Sequence, residues 1–155
     1  MSDLTPGDPA PDFSLPSQTG EDVSLEALRG KAVVLYFYPK DDTPGCTKQA
    51  MAFTENFAEF EAEGATIIGV SKDTAAKHAK FVDKHGLKLT LLSDADADVC
   101  ERYGVWKEKN MYGRKYMGIE RSTFLIGADG TLREIWRKVK VPGHAEAVLD
   151  AVRAL

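Results

Sequence analysis

The run "KAVVLYFY", residues 31 to 38, constrains this chain more than any other stretch. It is continuous, apolar, and rich in β-branched and aromatic side chains. Such a run reads as a strand buried on both faces, which requires helices or loops to cover a largely parallel sheet. The strand ends in "YPKDDTPGCTK", a polar stretch with two prolines and a glycine that opens a helix and carries Cys46. A thiol is therefore expected at the carboxyl edge of a central strand, where open α/β sheets place their chemistry.

The remaining elements follow from period and punctuation. "FSLPSQTGEDVSL" predicts a small hairpin turning at Gly20. After Cys46, the spacing of Ala50, Phe53, Phe57 and Phe60 predicts an amphipathic helix closed by Gly64. "ATIIGVS" is a second buried strand, and "DTAAKHAKFVDKHG" a helix capped by Asp73 or Thr74 and stopped at Gly86. "KLTLLSD" is a third strand, followed by a short helix ending at Gly104. Residues 105 to 120 read as a long loop. "RSTFLIGADGTLREIW" is a hairpin turning at Asp129-Gly130, and a last helix puts Ala145, Val148, Leu149 and Val152 on one face. The expectation is one domain, residues 1 to 155, of α/β class. Its mixed central sheet carries helices on both faces and an N-terminal hairpin, as a thioredoxin-like fold requires.

Composition excludes several function classes. The net charge of −4 argues against a nucleic-acid binder. No segment approaches the roughly 20 apolar residues of a membrane span, and the N-terminus lacks the basic and apolar regions of a secretory signal. The cytoplasm is the expected compartment. Two cysteines cannot build a disulfide framework there, so each is either a small buried hydrophobe or a reagent.

Cys46 reads as the reagent. An ordinary thiol titrates near ~8.5. The first turn of a helix offers unpaired N–H groups and the positive end of its dipole, and both favour a thiolate. Pro44 suits the helix entry and Gly45 lets backbone approach the sulfur. Thr43, one turn earlier, can place a hydroxyl beside the sulfur, and Pro39 can shield it from bulk water. Arg121, at the start of a later strand, is a candidate cation that spacing alone cannot bring to the site. His78, His85 and His144 read as surface or core-edge residues, not metal ligands, and Asp41 and Asp42 as carboxylates turned to water. No cofactor is called for. Trp106 and Tyr112 are candidates for an apolar rim, and Trp136 for packing on the sheet. The cations of residues 107 to 115 read as a solvated loop, with a landing strip for an acidic reductase as the alternative.

"PKDDTPGCT" has the P-x-x-x-T-x-x-C pattern of peroxiredoxins. With "VVLYFYPKDDTPGCT", "LLSDADADVCERYGVW" and "GIERSTFLIGADG", the chain resembles the PrxQ, or bacterioferritin-comigratory, class along nearly its whole length. The resemblance implies a thioredoxin fold and a thiol peroxidase that reduces hydrogen peroxide and alkyl hydroperoxides. It makes Cys46 the peroxidatic cysteine and Pro39, Thr43 and Arg121 its companions. Many members carry a resolving cysteine five residues later, where this chain has Met51; others carry it in the next helix, where "AKFVDKHG" has none. Cys100 is then either an unusual resolving thiol or a packed helix residue. Members that carry a cysteine in this motif beside a separate resolver favour packing. The implied cycle is a Cys46 sulfenic acid cleared by an external thiol (thioredoxin, glutaredoxin with glutathione, or a similar donor) in a monomeric protein. Two rivals use the same thiol: a slow redox sensor, and a thioredoxin-type oxidoreductase, whose C-x-x-C is missing because Gln49 stands at its fourth position. A cysteine hydrolase would need a positioned histidine.

Overall fold

A computed structural model describes residues 4 to 155. The 31–38 run forms β3 (Ala32–Phe37), and every residue from Val33 to Phe37 is buried. Each large apolar side chain so buried contributes about 1.5–3 kcal/mol, so this strand anchors the sheet. It is flanked by β4 (Ala65–Ser71), parallel to it, and by β8 (Ser122–Ile126), antiparallel to it. β5 (Thr90–Ser93) lies parallel to β4 at one edge and β9 (Leu132–Trp136) antiparallel to β8 at the other. The order β5-β4-β3-β8-β9 is the mixed sheet expected of a thioredoxin-like fold.

Alternation along β3 divides the core in two. Val34 and Tyr36 point to one side, packed with Phe53, Phe60, Phe81, Val148 and Cys46. These come from α1 (Pro44–Glu55), α2 (Phe57–Ala62), α3 (Ala75–His85) and α5 (His144–Arg153). Val33, Leu35 and Phe37 point to the other side, packed with Phe13, Leu15, Val99, Cys100 and Tyr103. That side is covered by α4 (Val99–Arg102) and by the N-terminal hairpin of β1 (Ser14–Pro16) and β2 (Asp22–Ser24). Among the described residues, α-helices thus lie on both faces, four on one and one on the other. Gly69 in β4 lets the Tyr36 ring lie across the strand: a Cβ there would meet the Tyr36 ring at 2.8 Å.

Helix ends follow local chemistry. The Thr74 side chain caps α3 by accepting from the Lys77 N–H. Two departures from the sequence reading stand out. The helix after Cys46 breaks at Asn56, whose side-chain amide donates to the Ala52 carbonyl at 2.8 Å and so ends the first segment. Residues 105 to 120 are not a loop: they form a second hairpin, β6 (Trp106–Met111) and β7 (Arg114–Ile119), paired only with each other. Most of its side chains are wet on both faces, so no buried alternation announced it.

Candidate functional site

The site forms where β3 hands over to α1. Pro44 is the first helical residue and Cys46 the third. The first backbone bond of the helix runs from Thr47 N–H to Thr43 O at 2.8 Å, so the Gly45 and Cys46 N–H groups precede the intrahelical ladder. Thr43 sits at the N-cap but does not cap: its hydroxyl donates to the Lys40 carbonyl at 2.9 Å. That bond spends the hydroxyl proton on the loop and leaves the oxygen's lone pairs free to accept. Pro39 is exposed at the rim of the loop.

Cys46 is a free thiol, 2% exposed. Arg121, just before β8, donates from Nη2 to Cys46 Sγ at 3.3 Å and from Nη1 to Gln49 Oε1 at 2.6 Å. One planar guanidinium therefore spans two successive turns of the α1 face, a geometry a lysine cannot reproduce. Gly45 permits this closure, since a Cβ there would lie 3.2 Å from Nη2. The spacing in sequence did not identify Gln49, because its partner lies on a distant strand; a buried glutamine at helical spacing from Cys46 was the available signal. Tyr36 lies beneath the site. Burial, reinforced by the nearby Cys46 and Asp41, pushes its phenol well above the usual range. The hydroxyl stays protonated, and among the described residues it has no hydrogen-bond partner; neither does Gln49 Nε2. These two buried, unpartnered donors are available to donate to an oxygen atom placed on the sulfur.

The loop before the helix is pinned by carboxylates expected to face water. Asp41 does not: it is buried, and it accepts from the Tyr38 hydroxyl at 2.5 Å and contacts His78 Nδ1 at 2.6 Å. Its backbone N–H donates to Asp73 at 2.7 Å. His78 is fully buried rather than superficial, and its Nε2 must donate, because its partner there is the Leu92 carbonyl at 2.9 Å. Asp42 is exposed as expected, but pairs with Lys84 at 2.7 Å and His85 at 2.9 Å, which hold its carboxyl below the ordinary range. The whole loop is thus fastened to α3. His144 is also buried, with Nε2 2.8 Å from the Thr123 hydroxyl. Burial, and secondarily Arg121, lowers it to about 4. Trp136 packs on the sheet beside it, the two rings meeting edge to face at 5.7 Å.

Cys100 is also a free thiol, fully buried, but in the opposite half of the core. Its backbone N–H donates to Asp94 at 2.8 Å, and burial, with Asp94 adding, pushes its thiol well up. Met51 is 42% exposed on α1. Trp106 sits half-buried beneath Lys72, and Tyr112 projects into solvent at the β6–β7 tip, where it lines a shallow hollow with Met111, Arg114, Lys115 and Tyr116 instead of rimming the Cys46 site.

Residues 6–135 match the AhpC/TSA family. The chain is 51% identical to "Putative peroxiredoxin bcp" of Coxiella burnetii over 92% of this chain and 95% of that protein. It is 48% identical to "Peroxiredoxin Bcp" of Bacillus subtilis, over 95% and 94%. Among solved structures, a cysteine mutant of Xylella fastidiosa PrxQ superposes with a TM-score of 0.93 at 41% identity, covering 99% and 98% of the two chains. A Xanthomonas campestris bacterioferritin comigratory protein, described for alkyl peroxide reduction, superposes at 0.87 with 46% identity over 92% and 90%.

Proposed function

The chain belongs to the AhpC/TSA family and is a thiol-dependent peroxidase of the Bcp/PrxQ type, and from that premise we propose that Cys46 is its peroxidatic sulfur, cleared by an external thiol. The observation that carries this is the Arg121 guanidinium at 3.3 Å from a sulfur buried in the first turn of α1.

The cycle has three steps. The Cys46 thiolate attacks the terminal oxygen of a hydroperoxide; the O–O bond breaks, an S–O bond forms, and the departing alkoxide or hydroxide takes a proton to leave as alcohol or water. Arg121 stabilises the charge on sulfur and then on the leaving oxygen. The free lone pairs of Thr43 accept a hydrogen bond from the peroxide O–H, whose proton passes to the departing oxygen, and Pro39 covers the loop side. In the second step a donor thiolate attacks the sulfenic sulfur, hydroxide leaves and is protonated to water, and a mixed disulfide remains. In the third a second donor thiol attacks that disulfide, releases Cys46 as thiolate, and carries away the oxidised donor.

External resolution rests on where the other sulfurs are. Met51 cannot form a disulfide. Cys100 faces the opposite half of the core across the sheet, whereas a disulfide needs Cα atoms within roughly 7 Å. The alternative, Cys100 as resolving thiol, would require both halves of the core to open. Hydrogen peroxide and alkyl hydroperoxides are the proposed substrates, the latter supported by the alkyl peroxide reduction described for the Xanthomonas relative. Thioredoxin or glutaredoxin with glutathione are the proposed donors. We place the protein in the cytoplasm as a monomer; among the described residues no helix is long and apolar enough to cross a membrane. Peroxide consumption, assayed with dithiothreitol and with thioredoxin, tests the reading: wild type turns over and Cys46→Ser does not. Retained turnover in Cys46→Ser would overturn it, and single-turnover oxidation without reduction by either donor would favour a sensor.

A further inference from the structure

The β6–β7 hairpin does little for the fold. It joins no strand of the central sheet and is fixed at its base, where Ile119 is buried and Trp106 lies under the Lys72 ammonium at 5.2 Å. Beyond the base it carries four of the large apolar side chains most exposed in the molecule: Met111 at 54%, Tyr112 at 101%, Tyr116 at 43% and Met117 at 48%. The tip is also strained. Tyr112 has φ 53 and Gly113 φ 79, a two-residue turn in which both positions are left-handed and in which asparagine, aspartate or glycine is the relaxed choice at the first. A fully exposed tyrosine there stabilises nothing in the isolated chain, and strain of this kind concentrates at functional surfaces.

Register sorts the charges. Lys107 pairs with Gly118, Lys109 with Tyr116, and Met111 with Arg114, so these side chains share one face. That face holds three cations, a methionine and a tyrosine, and no carboxylate. The hairpin's only carboxylate, Glu108, lies on the other face with Trp106, Lys115 and Ile119. The chain as a whole has a charge of −4, so the cations here are concentrated rather than typical. The face runs into the active site: Lys109 stretches over Gly118, donates to the Ile119 carbonyl at 2.5 Å, and is lowered first by burial and then by the charge of Arg121. Arg121 in turn touches Cys46.

We propose that this face of β6–β7 is the docking surface for the electron donor. It selects a protein whose reactive dithiol lies on an acidic, apolar-centred surface. The inference rests on the external-thiol reading above and names the partner class for it. Charge complementarity fixes the choice: Lys107 and Arg114 steer an acidic surface toward the site, while Met111, Tyr112 and Tyr116 supply adaptable apolar contact. An isologous pair of copies would set cation against cation through the same face. Once docked, the donor's thiolate attacks the Cys46 sulfenic sulfur; reaching that buried atom requires the first turn of α1 to open.

Two variants test this. Tyr112→Asn removes the aromatic ring but suits a left-handed residue, so thermal stability is unchanged or higher. Arg114→Glu reverses a cation at the tip. Turnover is measured with dithiothreitol and with a thioredoxin of net negative charge kept reduced by its reductase. The account expects dithiothreitol turnover to match wild type in both variants. It expects the thioredoxin KM to rise by about tenfold or more in Arg114→Glu, with a shallower dependence on salt, and by a smaller factor in Tyr112→Asn. Folded variants with an unchanged thioredoxin KM would overturn the docking surface while leaving the peroxidase intact. Failure of wild type to turn over with dithiothreitol would instead sink the external-thiol reading itself. A wild-type dimer in sedimentation that Tyr112→Asn dissociates, or binding to phosphatidylglycerol vesicles that Arg114→Glu abolishes, would give the face to another occupant and refute the proposal.

Discussion

Replacing Arg121 by methionine removes the guanidinium while keeping an unbranched side chain of similar reach. Unit charges 3.3 Å apart attract by about 5 kcal/mol at an effective dielectric near 20. The guanidinium spreads its charge over three nitrogens and is only half-buried, so the net term is smaller; about 1.5–3 kcal/mol is usual for a hydrogen bond to a charged group. Each ~1.4 kcal/mol of lost transition-state stabilisation is tenfold in rate. The second-order reaction of reduced Arg121→Met with hydrogen peroxide should therefore slow by about 10- to 100-fold. Rapid quench followed by intact mass measures it directly, without a donor. Arg121→Lys should fall between the two, because a single ammonium cannot serve both Cys46 Sγ and Gln49 Oε1 in the same plane. A circular dichroism spectrum confirms that the fold survives. A folded Arg121→Met that reacts within about twofold of wild type would refute the place given to this residue.

Three further outcomes follow from the same geometry. Cys100→Ser should keep full turnover with dithiothreitol, and in wild type iodoacetamide should label Cys46 well before Cys100, whose thiol burial holds protonated; lost turnover with Cys46 still oxidising would make Cys100 the resolving thiol. Asp41→Ala strands the buried Tyr38 hydroxyl and His78 Nδ1 and should cost about 3–5 kcal/mol in urea unfolding. Asp41→Asn can bond to both and should cost far less, so equal losses would mean that the network is not what fixes the loop. His144, lowered from 6.5 to about 4 by burial, is neutral when folded and takes up a proton more readily when unfolded. Its share of stability is thus full above about pH 6.5 and is lost as pH falls toward 4; His144→Gln should flatten that part of the stability–pH curve, and an unchanged slope would count against it.

What the sequence disclosed, and what it concealed, divides along a physical line. Features set by near neighbours were readable: the buried strand at 32–37, the Thr74 cap, the Asp129-Gly130 turn, the thiol at the start of α1. Features set by partners far along the chain were not. Asp41 looks like half of a solvated acidic pair until Tyr38 and His78 close over it from β3 and α3. Gln49 marks only the missing second cysteine of a C-x-x-C until Arg121 arrives from the other side of the fold. The β6–β7 hairpin hid because its alternation is between two wet faces, and its tip breaks the residue preference by which such turns are recognised. Arg121 lies between these cases: strand position made it a candidate, family resemblance promoted it, and the fold brings it to Cys46.

The account stands or falls on one sulfur reacting alone. Intact mass of the reduced protein after one equivalent of hydrogen peroxide, with no thiol donor present, reads this directly. The predicted result is a gain of one oxygen atom that localises to Cys46 and vanishes in Cys46→Ser. A loss of two hydrogens, marking a Cys46–Cys100 bridge, or an oxygen retained in Cys46→Ser, would contradict it.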